Sequence, residues 1–231
     1  MDERYLEKRK RIEQFFIPEN LKTDSGKVDI SPSGKFRIEI SQYSTPNGWG
    51  YSRGIVTNTS NNEVIADIKR NYGHFWHTWV DHPNGNEYLL CGEDYQGYSV
   101  VNLNTEKYHV YFPEEGFQGA GFCWAAVNPS PDSLVLAVDG CYWASPYDLV
   151  IFDFRNPEII PYPEIARFES QDGCDGWADN DTFVLRHEVA IRKSDGTLYE
   201  SLSKQEQEIL DKDSSLIDYR VNTVHFKRPV F

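Results

Sequence analysis

No apolar run in the chain approaches the ~20 residues a helix needs to cross a bilayer. Positive charge is scarce as well: 23 Lys and Arg stand against 36 Asp and Glu, for a formal net charge of −13. So acidic a chain repels phosphate backbones, which argues against nucleic acid as a partner. Its one dense basic cluster, Lys8-Arg9-Lys10-Arg11, is flanked by Asp2, Glu3, Glu7 and Glu13 and reads as a solvated helix face. The four cysteines, Cys91, Cys123, Cys141 and Cys174, form no CxxC pair, and at this chain length they read as free thiols. A Gly-rich phosphate loop, a nucleophile elbow and an ordered Ser/His/Asp set are all missing. The opening MDERYLEKRKRIEQ lacks the apolar stretch of a secretory signal, so the expectation is a soluble cytoplasmic protein that enters no membrane.

What the chain does have is aromatics, at 14%, and many short apolar runs. The stretch Phe122–Phe154 shows the pattern: Trp124–Val127, Leu134–Val138 and Leu149–Phe154 are each too short for a helix, and a proline-rich turn or an aromatic connection separates them. Three hairpin-linked strands in succession make one antiparallel sheet. Turns at Pro32, Pro83 and Pro129 are spaced by 51 and then 46 residues, and Ala178-Asp179-Asn180-Asp181 falls about 50 further on. Each is followed by a second strand (Phe36–Ile40, Tyr88–Cys91, Leu134–Val138, Phe183–Arg186) and a third (Gly54–Asn58, Tyr98–Leu103, Leu149–Phe154, Val189–Arg192). The fourth strands are Glu63–Ile68, Tyr108–Phe112, Ile159–Tyr162 and Thr197–Ser201.

Four short strands at such a period are the signature of β-propeller blades, with a β-sandwich as the structural alternative. The Ser-Pro-Ser-Gly-Lys turn followed by an apolar strand resembles the blade turn of WD-repeat and Tol-type propellers, a resemblance to the repeat over about residues 27–200 and to no individual family. The expected fold is all-β: a small β-propeller of four to five four-stranded antiparallel blades, with an N-terminal helix and a C-terminal helix-strand tail. Residues 1–26 form the helix and linker, and 27–231 the propeller, with blades at about 27–70, 71–114, 115–163 and 164–201 and a tail at 202–231. Ser203-Lys204-Gln205-Glu206 has capping-box spacing for a short helix, and Ile217–Lys227 alternates as a strand that closes the ring or begins a fifth blade.

In such a blade the loops between strands one and two, and three and four, share one face; here they are tight turns. The loops of the other face are long and aromatic. They carry Trp49, Trp76 and Trp143 beside Tyr95 and Tyr142, with Asp94, Asp172 and Asp175 among the acids. Such aromatics are the material of binding hot spots, whereas Trp79, Trp124 and Trp177, at strand starts, read as wedges between blades. His74 and His77 invite a zinc reading, but an i, i+3 pair on an extended segment does not converge, so both are assigned to ligand contact and no metal or cofactor is expected. His82, in a tight turn, reads as surface. The functional expectation is a binding or scaffold module whose aromatic, acidic face holds a peptide or protein, a basic one on charge grounds. The alternatives are a carbohydrate or small-molecule binder, where rings stack on sugars, and a hydrolase using two carboxylates of that face, such as Asp94 and Asp139.

Overall fold

Residues 2–23, 26–143, 146–169 and 171–229 are described by the computed structural model, the side chains of Gln171 and Asp172 excepted. The chain opens with α1 (Glu3–Glu13), capped by the Asp2 carboxylate, which accepts from Arg4 N at 2.8 Å. Pro18 cannot donate to a helical ladder and starts a single 3₁₀ turn, Pro18–Asn20. Four antiparallel sheets follow in chain order. The first runs β1 (Lys27–Ile30), β2 (Phe36–Ser44), β3 (Gly50–Asn58), β4 (Val64–Arg70). The second runs β5 (His77–Asp81), β6 (Glu87–Cys91), β7 (Tyr98–Asn102), β8 (Lys107–Tyr111). The third runs β9 (Cys123–Pro129), β10 (Val135–Cys141), β11 (Asp148–Asp153), β12 (Glu164–Phe168). The fourth holds three strands, β13 (Gln171–Trp177), β14 (Thr182–Arg192) and β15 (Ile217–Lys227). Between β14 and β15 lies α2 (Lys204–Lys212), whose capping box forms as the sequence predicts: Ser203 Oγ accepts from Glu206 N and the Glu206 carboxylate from Ser203 N.

The repeating turn has a physical basis. Ser31 N–H donates to Phe36 O at 2.9 Å and Ser130 N–H to Val135 O at 2.8 Å, while each hydroxyl accepts the returning N–H of the same partner. His82 holds the equivalent place, donating to Asn86 O at 3.1 Å. Three residues on, the chain passes through left-handed φ at Gly34 (75°), Gly85 (87°) and Ser133 (58°). The counterpart of Pro32 and Pro83 is therefore Pro131; Pro129 is the last residue of β9. His82 is buried rather than on the surface, packed edge-on to Tyr88 and Phe154 with Nε2 3.2 Å from Phe154 O.

Each sheet packs a face on the next. Ile38, Val56 and Ile68 of the first meet Phe75, Leu89 and Val101 of the second. Tyr88, Leu90 and Val100 meet Trp124, Leu136 and Phe152 of the third, and Val135, Ala137 and Ile151 meet Phe183 and Leu185 of the fourth. The wedges recur with the repeat: Trp79 packs on the first of these clusters, Trp124 lies in the second, and Trp177 packs on the last. Trp79 Nε1 donates to Asp29 and Trp177 Nε1 to Asn128 O, in each case the first strand of the preceding sheet.

Four expectations are corrected. Phe183–Arg186 and Val189–Arg192 are one strand, β14, because Arg186 and Glu188 are outward positions of continuing alternation and no turn residue separates them. Thr197–Ser201 is not the fourth strand; Tyr199–Ser201 is a 3₁₀ turn. Nor does the final strand close a ring or begin a fifth blade: β15 pairs with β14 over eleven residues. In the third sheet the last strand begins at Glu164 rather than Ile159, since Pro157, Pro161 and Pro163 cannot donate to a ladder. Among the described residues no apolar cluster joins the first sheet to the fourth. The outer face of the first is mixed, with Arg37 on Thr57 and Arg53 on Asp67 beside exposed Val28, Ile30 and Val64, and that of the fourth exposes Arg186, Glu188 and His225 beside Tyr219 and Val221. The stack is open.

Candidate functional site

At one end of the second and third sheets, three connections converge: 71–76 leading into β5, 92–97 between β6 and β7, and the segment after β10. They surround an open cavity of about 490 Å³. Its walls bring together four residues singled out from the sequence, His74, Trp76, Tyr95 and Trp143, and add Arg70, Tyr72, Trp124 and Tyr147. The Tyr95 and Trp143 rings lie 5.5 Å apart at 45°, and Tyr72 is 6.1 Å from Tyr95. Trp49 is at the rim, 6.0 Å from Tyr72, with its Nε1 donating to Asn71 O. Trp143 is 58% exposed and Tyr147 46%, so the mouth is aromatic and open to solvent.

The depth of the cavity is set by two buried donors. Trp76, 5% exposed and stacked on Trp124, has an Nε1 with no hydrogen-bond partner. Arg70, 2% exposed, spends Nε on His74 O (2.8 Å) and Nη1 on Gly92 O (2.7 Å) and Asp94 O (3.1 Å). No hydrogen bond from its Nη2 occurs among the described residues. Burial pulls this guanidinium down to about 10, so it is still charged at neutral pH. Burial, reinforced by Arg70, lowers His74 below the usual imidazole value and leaves it neutral there. Burial raises the Cys123 thiol, so Cys123 offers no thiolate nucleophile at pH 7.

The acids of this face have a different job. Glu93 (2% exposed) and Asp94 (4% exposed) lie beneath α1, whose basic cluster is solvated only at Lys10 and Arg11: Lys8 Nζ is 2.6 Å from Asp94 and Arg9 Nη2 2.9 Å from Glu93. Tyr5, on the same helix, donates to Glu93 at 3.2 Å and stacks on Phe112. Asp94 also accepts from Asn71 Nδ2 and Gln96 N. These carboxylates anchor the N-terminal helix and stay outside the cavity wall.

The remaining predicted residues are dispersed. His77 Nε2 is 2.8 Å from Asp29 and ties the second sheet to the first, away from His74. Tyr142 packs at a tilt against Phe122 beside Arg167, in a neighbouring hollow that shares Trp124 as a wall. Asp175 is exposed on β13, 3.8 Å from Arg186; Asp172 lies in the same strand with its side chain outside the described residues. The carboxylates proposed for hydrolysis do not pair either: Asp139 accepts from Asn128 and Cys174 in the interface with the fourth sheet. Arg70 was illegible in sequence. It ends a strand at a position where a solvent-facing arginine looks the same, and only the fold shows that it points inward.

No known protein family matches this chain. It is 38% identical over 153 residues, 64% of its length, to "Uncharacterized protein R762" of Acanthamoeba polyphaga mimivirus, and the match spans 59% of that relative. Among solved structures it is similar to TolB from Acinetobacter baumannii (TM-score 0.37, 16% identity, 70% of this chain and 37% of that one). It is also similar to the β-propeller domain of Swd1 (Cps50) from Myceliophteria thermophila (TM-score 0.35, 10% identity, 79% and 87%). At such scores the likeness reaches no further than a shared pattern of antiparallel sheets, and the chain is related in sequence to a viral protein of undescribed activity.

Proposed function

We propose that the protein is a propeller-like binding module that holds its ligand in the aromatic cavity between the second and third sheets. One observation carries this reading: aromatic side chains from three separate connections meet around an open space of about 490 Å³, with the buried guanidinium of Arg70 and a buried, unpartnered donor, Trp76 Nε1, at its wall. That volume lies in the usual range for small-molecule sites. Buried donors are normally satisfied, and a ligand acceptor satisfies this one. Binding is favoured over hydrolysis because the described carboxylates are committed to ion pairs and packing, and over sugar capture because the cavity offers ring faces but few side chains to match several hydroxyls. The expected partner also changes in character: Asp94, one of the acids that suggested a basic ligand, and its neighbour Glu93 are paired with Lys8 and Arg9 of α1.

The test is a ligand-observed NMR screen of aromatic fragments and monosaccharides against the wild type and Trp143→Ala. Trp143 is mostly exposed, so its loss leaves stability within about 0.5 kcal/mol. Aromatic fragments should bind the wild type and lose most of their signal with the variant. Equal binding to both proteins would remove the cavity from consideration.

A further inference from the structure

Taking the aromatic cavity as the binding site, we infer that its ligand is an anion: a carboxylate borne on a planar ring. The argument is a charge count around one buried group. Three cations lie at this end of the second sheet, Lys8, Arg9 and Arg70, and two buried acids, Glu93 and Asp94. Lys8 is matched to Asp94 at 2.6 Å and Arg9 to Glu93 at 2.9 Å. Arg70 is the third, and its hydrogen bonds go only to the backbone carbonyls of His74, Gly92 and Asp94. The Asp94 charge reaches Arg70 only at longer range, with no ion pair between the two side chains; a buried charge without a carboxylate in direct contact costs free energy, and a carboxylate against it recovers that cost. Arginine is also the side chain whose planar fork fits a carboxylate.

The rest of the wall fits the same ligand. Trp76 Nε1 is buried without a partner and calls for an acceptor atom, and Arg70 Nη2, with no hydrogen bond among the described residues, can donate to a second. Tyr95, Trp143 and Tyr72 offer faces on which a flat ring stacks. An aromatic mouth of this kind would ordinarily draw ammonium groups by cation–π attraction. Here the guanidinium in the wall opposes a second positive charge, and the low dielectric of a buried site strengthens that opposition. The carboxylate can belong to a free aromatic acid or to the C-terminus of a peptide ending in an aromatic residue; the chemistry at Arg70 is the same.

The experiment is a calorimetric titration of the full chain with three probes that share one ring: indole-3-acetate, indole-3-acetamide and tryptamine. The acid should bind at least tenfold more tightly than the amide, as expected for loss of a charge-assisted hydrogen bond, and tryptamine should bind more weakly than either. Arg70→Gln should reduce the acid to the affinity of the amide, and Trp76→Phe should weaken it severalfold. If Arg70→Gln fails to fold, the order of the three probes on the wild type and the Trp76→Phe titration decide the matter. A peptide ending in Trp with a free carboxyl, compared with its C-terminal amide, separates the two sources. Acid and amide of equal affinity would overturn the anion and leave the cavity standing; three probes that all fail at millimolar concentration would bring down both.

Discussion

The pairing of α1 with buried acids makes an ordering of stabilities that can be worked from the geometry. Consider Arg9→Met and Lys8→Met, each of which keeps the apolar stem and removes the charge. Removing one partner of a fully buried pair costs about 3–5 kcal/mol, because the other charge is stranded. Both cations are partly in solvent, at 36% and 33% side-chain exposure, so screening reduces the figure in each case. What separates them is the support left behind. Without Lys8, Asp94 still accepts from Asn71 Nδ2 at 2.5 Å and Gln96 N at 2.9 Å. Without Arg9, the Glu93 carboxylate keeps only two phenols, Tyr5 on Oε2 at 3.2 Å and the neighbouring Tyr108, and no charged or amide donor. Arg9→Met should therefore cost about 2 kcal/mol and Lys8→Met about 1 kcal/mol. Urea unfolding at pH 7, followed by tryptophan fluorescence, reads both as shifts in midpoint at constant slope. Adding Glu93→Gln should recover part of the Arg9→Met loss, with a coupling of about 1–2 kcal/mol in the double-mutant cycle. A Lys8 variant as damaged as the Arg9 variant, or a coupling near zero, would refute the claim that buried charge fastens this helix.

Two further predictions follow from the same contacts. Burial raises Glu93 above the ordinary carboxylate value, against the pull of Arg9, so the native state holds that proton to higher pH than the unfolded chain does. Stability contributed by this group should fall as pH rises through the interval above the ordinary carboxylate value, and Glu93→Gln should flatten that interval; parallel stability–pH curves for variant and wild type would contradict it. Cysteine labelling gives an independent map: Cys91 is fully buried and its thiol is pushed far up by burial, whereas Cys123 and Cys141 line the cavity. Native-state alkylation at pH 8, read by mass spectrometry, should leave Cys91 last, and a bound ligand should shield Cys123 and Cys141 but not Cys174.

Much of the strand layout was readable because its causes are local. Alternation of apolar and polar residues, proline and glycine in tight turns and the Ser203–Glu206 cap each act within a few residues. They located α2, β15 and the central strands of the second and third sheets closely; those of the first run four residues further, to Ser44 and from Gly50. The reading failed where a local signal was ambiguous. Pro129 and Pro131 both sit near the turn, and only the hydrogen bonds of Ser130 show which matches Pro32. The polar His187-Glu188 looked like a gap between strands, yet both lie within one long strand in which Arg186 and Glu188 face outward.

The sequence by itself determined that sheets form, that they repeat, and that one set of connections carries the aromatics, since these depend on periodicity and composition. Tertiary structure alone decided the rest, because burial and charge pairing depend on residues far apart in the chain. Asp94 meets Lys8 across 86 positions and is spent on a helix; Trp76 stacks on Trp124 across 48 and is left with a buried, unpartnered N–H. Arg70, indistinguishable in sequence from a surface arginine, becomes the buried charge at the wall of the cavity only when the first connection folds against the second sheet.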